Sequence, residues 1–201
     1  MITLAAERKE LVTIGEDDAS VSQVCILLAE KLKVVPVGAV AATEYHRLDQ
    51  GILTTVFYPY LTLPRIEWDI NDGRKRIDIV YMNDAREGFL QQRRDVTGNN
   101  TEATMVIVEC KNYKDDIANP ELDQLLGRFD RNRGRFGWIL CRAIDDEKKL
   151  LAKCRDYAKA GNGFILVFTD SDLLEMLEAK GNLNNERIER LLMKKFRDII
   201  S

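Results

Sequence analysis

Two charged residues close an apolar run in the middle of the chain. Met105-Val106-Ile107-Val108 reads as a buried central strand of β-branched type, and Glu109-Cys110-Lys111 ends it. Glu109 and Lys111 stand two apart, and alternate residues of a strand share one face. A carboxylate and an ammonium side by side at the end of a core strand are costly unless paired or put to use. Upstream, Asp78 sits in Arg76-Ile77-Asp78-Ile79-Val80-Tyr81 with apolar neighbours on both sides. Pairing of these two strands would bring Asp78 toward Glu109. Converging carboxylates repel unless a cation sits between them. Oxygen ligands of this kind suit Mg²⁺ or Mn²⁺. Such an ion would polarise a phosphodiester and activate a water, with Lys111 placed to orient that water or offset developing charge.

Asp78, Glu109-Cys110-Lys111 and then Gln124 in the next helical stretch resemble the PD-(D/E)xK nuclease superfamily. A Gln after the Glu-x-Lys strand is similar to its Mrr-like branch. The resemblance runs from about Val40 to Leu177. Ile77 stands where the literal motif has proline. The resemblance implies a three-layer restriction-endonuclease-like α/β fold, with a central mixed sheet flanked by helices. It implies that Asp78, Glu109 and the backbone carbonyl of Cys110 ligate Mg²⁺ or Mn²⁺. Lys111 is then the catalytic lysine and Gln124 lies near the site. Glu44 is then the acidic residue such proteins often carry on the first core helix. The implied activity is hydrolysis of DNA phosphodiesters, in defence or DNA repair, with RNA left open as a substrate.

Blander readings stand beside these. Glu109 and Lys111 also suit a solvated strand end with a surface pair worth about 0–1 kcal/mol. Asp78 also suits an outward-facing strand position, and Gln124 and Glu44 suit exposed helix surface. His46, the one histidine, is assigned no role. Arg74-Lys75-Arg76, Arg93-Arg94 and Arg128, Arg131, Arg133 and Arg135 form local basic clusters. Arg76, Tyr113, Lys114, Arg128 and Arg131 are the candidate contacts to a nucleic-acid backbone. No base-reading element is identifiable. The rival to an enzyme is a catalytically silent module of the same fold that binds nucleic acid or scaffolds an assembly.

The elements that position these residues follow from periodicity and capping. Apolar spacing predicts helices over about 19–33 and 40–54. Ile66 to Ile70 and Arg76 to Tyr81 alternate, and Asn71-Asp72-Gly73 between them predicts a hairpin. Residues 83–103 read as a polar loop with a helical turn near 87–94. Asn119-Pro120-Glu121 opens a helix that carries Leu122, Leu125, Leu126 and Phe129 inward and ends at Gly134. Phe136 to Cys141 and Phe164 to Phe168 are buried strands. Asp145-Asp146 and Thr169 to Asp172 open helices through about Lys159 and Lys180, and a last amphipathic helix spans about 185–200. The predicted organisation is a helical extension over 1–38, a nuclease-like domain over 39–181 and a C-terminal helix over 182–201. The terminal helices are also the candidate surfaces for a homodimer or a further subunit.

Length and composition bound this reading. The chain has 201 residues, 45% of them hydrophobic and 31% charged, which fits one globular domain with some elaboration. The net charge of −3 gives no global basic field, so a nucleic acid must be met by a local patch. Four widely spaced cysteines and one histidine make a Cys/His zinc site improbable. Buried thiols suit a reducing, cytoplasmic setting. No apolar run is long enough to cross a bilayer.

Overall fold

The computed structural model describes residues 18–70, 74–94, 103–113, 117 and 119–201. The hairpin turn read at Asn71-Asp72-Gly73 and the candidate contact Lys114 lie outside the described residues.

Five strands form one mixed sheet in the order β1-β2-β3-β4-β5. They are β1 (Leu61–Ile70), β2 (Lys75–Asn83), β3 (Met105–Lys111), β4 (Phe136–Cys141) and β5 (Phe164–Thr169). β2 runs antiparallel to both β1 and β3, while β3, β4 and β5 run parallel. Among the described residues there are seven α-helices, α1 (Asp18–Val34), α2 (Ala42–Phe57), α3 (Gly88–Arg94), α4 (Asn119–Leu126), α5 (Glu147–Lys159), α6 (Asp170–Gly181) and α7 (Asn185–Ile200). A single 3-10 turn, Ala39–Ala41, leads into α2. None of these helices is long and apolar enough to cross a membrane.

The strand sequences explain the layering. β4 is buried along its whole length, as a continuous apolar run predicts for a strand covered on both faces. One face meets α2. Tyr81 of β2 donates to the Gln50 carbonyl at 2.9 Å, and the Phe57 and Trp138 rings lie 5.1 Å apart. α7 covers the same face further along, with Phe196 5.1 Å from Phe164 and 5.5 Å from Phe89. The opposite face meets α4 and α5, which Tyr157 joins by a 2.7 Å hydrogen bond to Asp123. Gly137 lets α4 approach the sheet closely. A Cβ there would lie 2.8 Å from the Ile107 carbonyl and 3.0 Å from Leu125. Cys25 and Leu32 of α1, and Ile188, Leu192 and Ile199 of α7, belong to the same buried cluster as the sheet.

Local chemistry sets the helix ends. Thr169 and Asp172 form a reciprocal capping box at α6, and the Asp146 and Asn184 side chains cap α5 and α7. α2 runs to Phe57, beyond the predicted end near Thr54, because Val56 and Phe57 are also buried. One expectation is corrected. α4 stops at Leu126 rather than continuing to Gly134, and Gly134 instead closes a turn that bridges to Asp130. Past Leu126 the Arg128 and Phe129 nitrogens bond three residues back, to the Leu125 and Leu126 carbonyls, and Asp130 then holds the turn. Its carboxylate accepts from the backbone nitrogens of Asn132 and Arg133, a local alternative to helical bonding. Phe129 still packs against the core.

Candidate active site

Asp78 and Glu109 meet where the β2–β3 ladder ends. The paired registers run from Met82↔Met105 to Ile79↔Val108. One step further, a side chain replaces the ladder bond: Asp78 Oδ2 accepts from the Cys110 backbone nitrogen at 2.9 Å. This contact uses one oxygen of a buried carboxylate, and it holds β3 to β2 at the end that carries Glu109 and Lys111.

Glu109 is fully buried. Its Oε2 accepts from Gln124 Nε2 at 2.9 Å and lies 3.5 Å from Lys111 Nζ. Lys111 Nζ donates to Gln124 Oε1 at 3.0 Å, so Gln124 bridges acid and base. Gln124 projects from the middle of α4, and the close seat of α4 on Gly137 brings it there. The other oxygen, Oε1, lies 2.5 Å from Arg128 Nε. That nitrogen points its hydrogen at the Arg76 carbonyl, 2.7 Å away, so Oε1 accepts no hydrogen bond. Burial, and then the nearby Asp78 charge, push the Glu109 carboxyl up to about 7. Arg128 and Lys111 oppose that rise without cancelling it.

A third acid joins from α2. Asp49 is fully buried, and neither of its oxygens receives a hydrogen bond of ordinary geometry. The Cys110 thiol, a weak donor, is a polar neighbour, and Asp49 feels the charges of Asp170, Arg142 and Asp78. Burial raises its pKa well above the usual carboxylate range. Around it, Tyr45 donates to Asp170 at 2.9 Å, and Arg142 lies 3.3 Å from Asp170 and donates to the Val35 carbonyl at 2.9 Å. The sequence reading passed over Asp49. The signal was present: Tyr45, Leu48 and Ile52 make the buried stripe of α2, and Asp49 falls within it. A charged residue on the core-facing side of an amphipathic helix is exceptional.

The other candidates are placed differently. Glu44 is exposed, and no hydrogen bond or ion pair joins it to this group among the described residues. Arg131 is exposed, and Arg76 reaches Glu67 at 3.8 Å on the surface. Tyr113 donates to Glu121 at 2.8 Å. Arg128 is 8% exposed and directed inward.

The chain matches no family model, no curated protein and no solved structure.

Among the described residues, no three His, Cys, Asp or Glu side chains are gathered as a ready-made metal cage. The donor set still suits a hard cation. Glu109 Oε1 is buried with no hydrogen donor, and Asp78 has one oxygen outside its contact with Cys110. Burial is the main reason the Glu109 carboxyl is raised, and the Asp78 charge adds to it. Oxygen ligands and residual negative charge favour Mg²⁺ or Mn²⁺ over softer ions.

Proposed function

We propose that this chain is a metal-dependent nuclease of the PD-(D/E)xK type, with the restriction-endonuclease-like fold, that hydrolyses phosphodiester bonds in DNA. The observation that supports this most is that Glu109, Lys111 and Gln124 are linked by contacts of 2.9 to 3.5 Å at one end of the sheet, where Asp78 accepts from the Cys110 nitrogen at 2.9 Å. In this reading Asp78, Glu109 and the Cys110 carbonyl hold Mg²⁺ or Mn²⁺. The bound ion would supply Lewis acidity toward the phosphate and a more acidic water. Lys111 would orient the attacking water and offset the charge that develops on the phosphoryl oxygens. Gln124 would keep Lys111 and Glu109 in register. Defence against foreign DNA and DNA repair are the settings this activity would serve.

A silent module of the same fold, binding nucleic acid or scaffolding an assembly, is the rival reading. The net charge of −3 favours it, and the intact Asp78, Glu109 and Lys111 weigh against it. Supercoiled plasmid with Mg²⁺ or Mn²⁺ tests the two, wild type beside Lys111→Ala. Metal-dependent nicking that the variant loses supports the nuclease. No cleavage of supercoiled, linear or single-stranded DNA by wild type favours the silent module.

A further inference from the structure

Arg128 is a buried cation in a place where the proposed mechanism asks for none. Long charged side chains are almost never buried without a partner, so what Arg128 touches should explain its position. Three groups hold it. Nε donates to the Arg76 carbonyl at 2.7 Å, Nη1 donates to the Gln124 carbonyl at 2.6 Å, and Nε lies 2.5 Å from Glu109 Oε1. Nε carries a single hydrogen, and the Arg76 carbonyl takes it. The approach to Oε1 is therefore attraction between charges without a hydrogen bond. Oε1 is also the Glu109 oxygen that Gln124 and Lys111 leave unused.

We infer that Arg128 is the resident counter-ion of Glu109 in the metal-free protein and competes with the divalent ion for that carboxylate. The inference rests on the metal-dependent reading above. A buried carboxylate facing a second carboxylate needs positive charge beside it. Arg128 supplies that charge until a metal does. The two cannot share Oε1 without repelling each other. Lys75 donates to the neighbouring Gly127 carbonyl at 2.7 Å, a further link between this segment and the start of β2. The two carbonyl acceptors of Arg128 survive loss of Glu109, so the guanidinium stays paired after the exchange. Metal binding therefore carries a standing repulsion set by Arg128. This guards the carboxylate pair when no metal is bound and weakens affinity for the ion.

The test is calorimetric titration of the whole chain with Mn²⁺, comparing wild type, Arg128→Met and Arg128→Lys. Arg128→Met should bind Mn²⁺ about tenfold more tightly, the size of a typical coupling between sites, and Arg128→Lys should stay near wild type. Equal or weaker binding by Arg128→Met overturns the competition. Without metal, Arg128→Met should lower the urea midpoint clearly, and less so in a Glu109→Gln background. An equal drop in both backgrounds overturns the counter-ion role. If Arg128→Met does not fold, the Arg128 Nε–H resonance of wild type decides, assigned by its loss in Arg128→Lys. A shift on saturation with Mg²⁺ supports the exchange, and no shift while Mg²⁺ binds overturns it. Absence of Mn²⁺ binding in every variant, with the metal-free coupling intact, sinks the metal-dependent reading and the competition together. Equal affinities sink the competition alone.

Discussion

Gln124 donates to Glu109 Oε2 at 2.9 Å while its own amide oxygen accepts from Lys111 at 3.0 Å. One neutral side chain thus stands between the acid and the base and sets the position of both. Without it, Lys111 could close directly on Glu109, now 3.5 Å away, and turn inward from the substrate. Gln124→Ala should therefore lower the cleavage rate by about 10- to 100-fold, the usual cost of losing a residue that orients ligands. Single-turnover cleavage of a defined duplex measures this. An unchanged rate would remove Gln124 from the site.

The Glu109 carboxyl, raised to about 7, should make the proposed metal binding depend on pH. A carboxylate must lose its proton to ligate. Below about 7 each unit of acidification should weaken Mn²⁺ binding by about tenfold, and above it the affinity should level off. Mn²⁺ titrations between about pH 5.5 and about pH 8.5 check the profile. A flat profile across that range would place the ion elsewhere.

Asp49 should make the fold less stable as pH rises. Its folded-state pKa lies above the unfolded value, so the native state binds more protons across the interval between them. The stability this proton binding provides is fully present below the unfolded value near 4 and declines as pH climbs toward the folded pKa. The slope for one such group is about 1.4 kcal/mol per pH unit. Glu109 adds a decline of the same sign between its ordinary value and about 7. Asp49→Asn should remove its share, leaving stability unchanged in acid and higher at neutral pH. Urea unfolding across that range decides, and an Asp49→Asn variant that loses stability at neutral pH would refute the argument.

Gly137 should resist enlargement. A methyl there would meet the Ile107 carbonyl at 2.8 Å, Phe129 at 2.9 Å and Leu125 at 3.0 Å. Gly137→Ala should cost about 1–3 kcal/mol of stability by overpacking. It should also push α4 outward, so the cleavage rate falls with Gln124 displaced. Thermal unfolding and cleavage on one preparation test both effects. A variant as stable and as active as wild type would show that α4 can shift freely.

Local information determined much of this protein. The β3 run and its terminal Glu109 and Lys111, the alternation that makes β2, and the Thr169 and Asp146 caps are short-range patterns, and the structure has them where periodicity and cap chemistry put them. The pairing of β2 with β3 was inferable from two compatible strands, and the side-chain bond from Asp78 to the Cys110 nitrogen was not. Tertiary structure alone decided what Asp49 meets. The period of Tyr45, Leu48 and Ile52 marks Asp49, and not Glu44, as the core-facing acid of α2, while its place beside Cys110 and Asp170 comes from packing. Tertiary structure also decided that Arg128 faces Glu109. Among the basic residues between 128 and 135, sequence shows only charge, while the early end of α4 and the approach of β2 bury one guanidinium and leave Arg131 in solvent. Partner choice depends on contacts between residues far apart in the chain, and no local period encodes it.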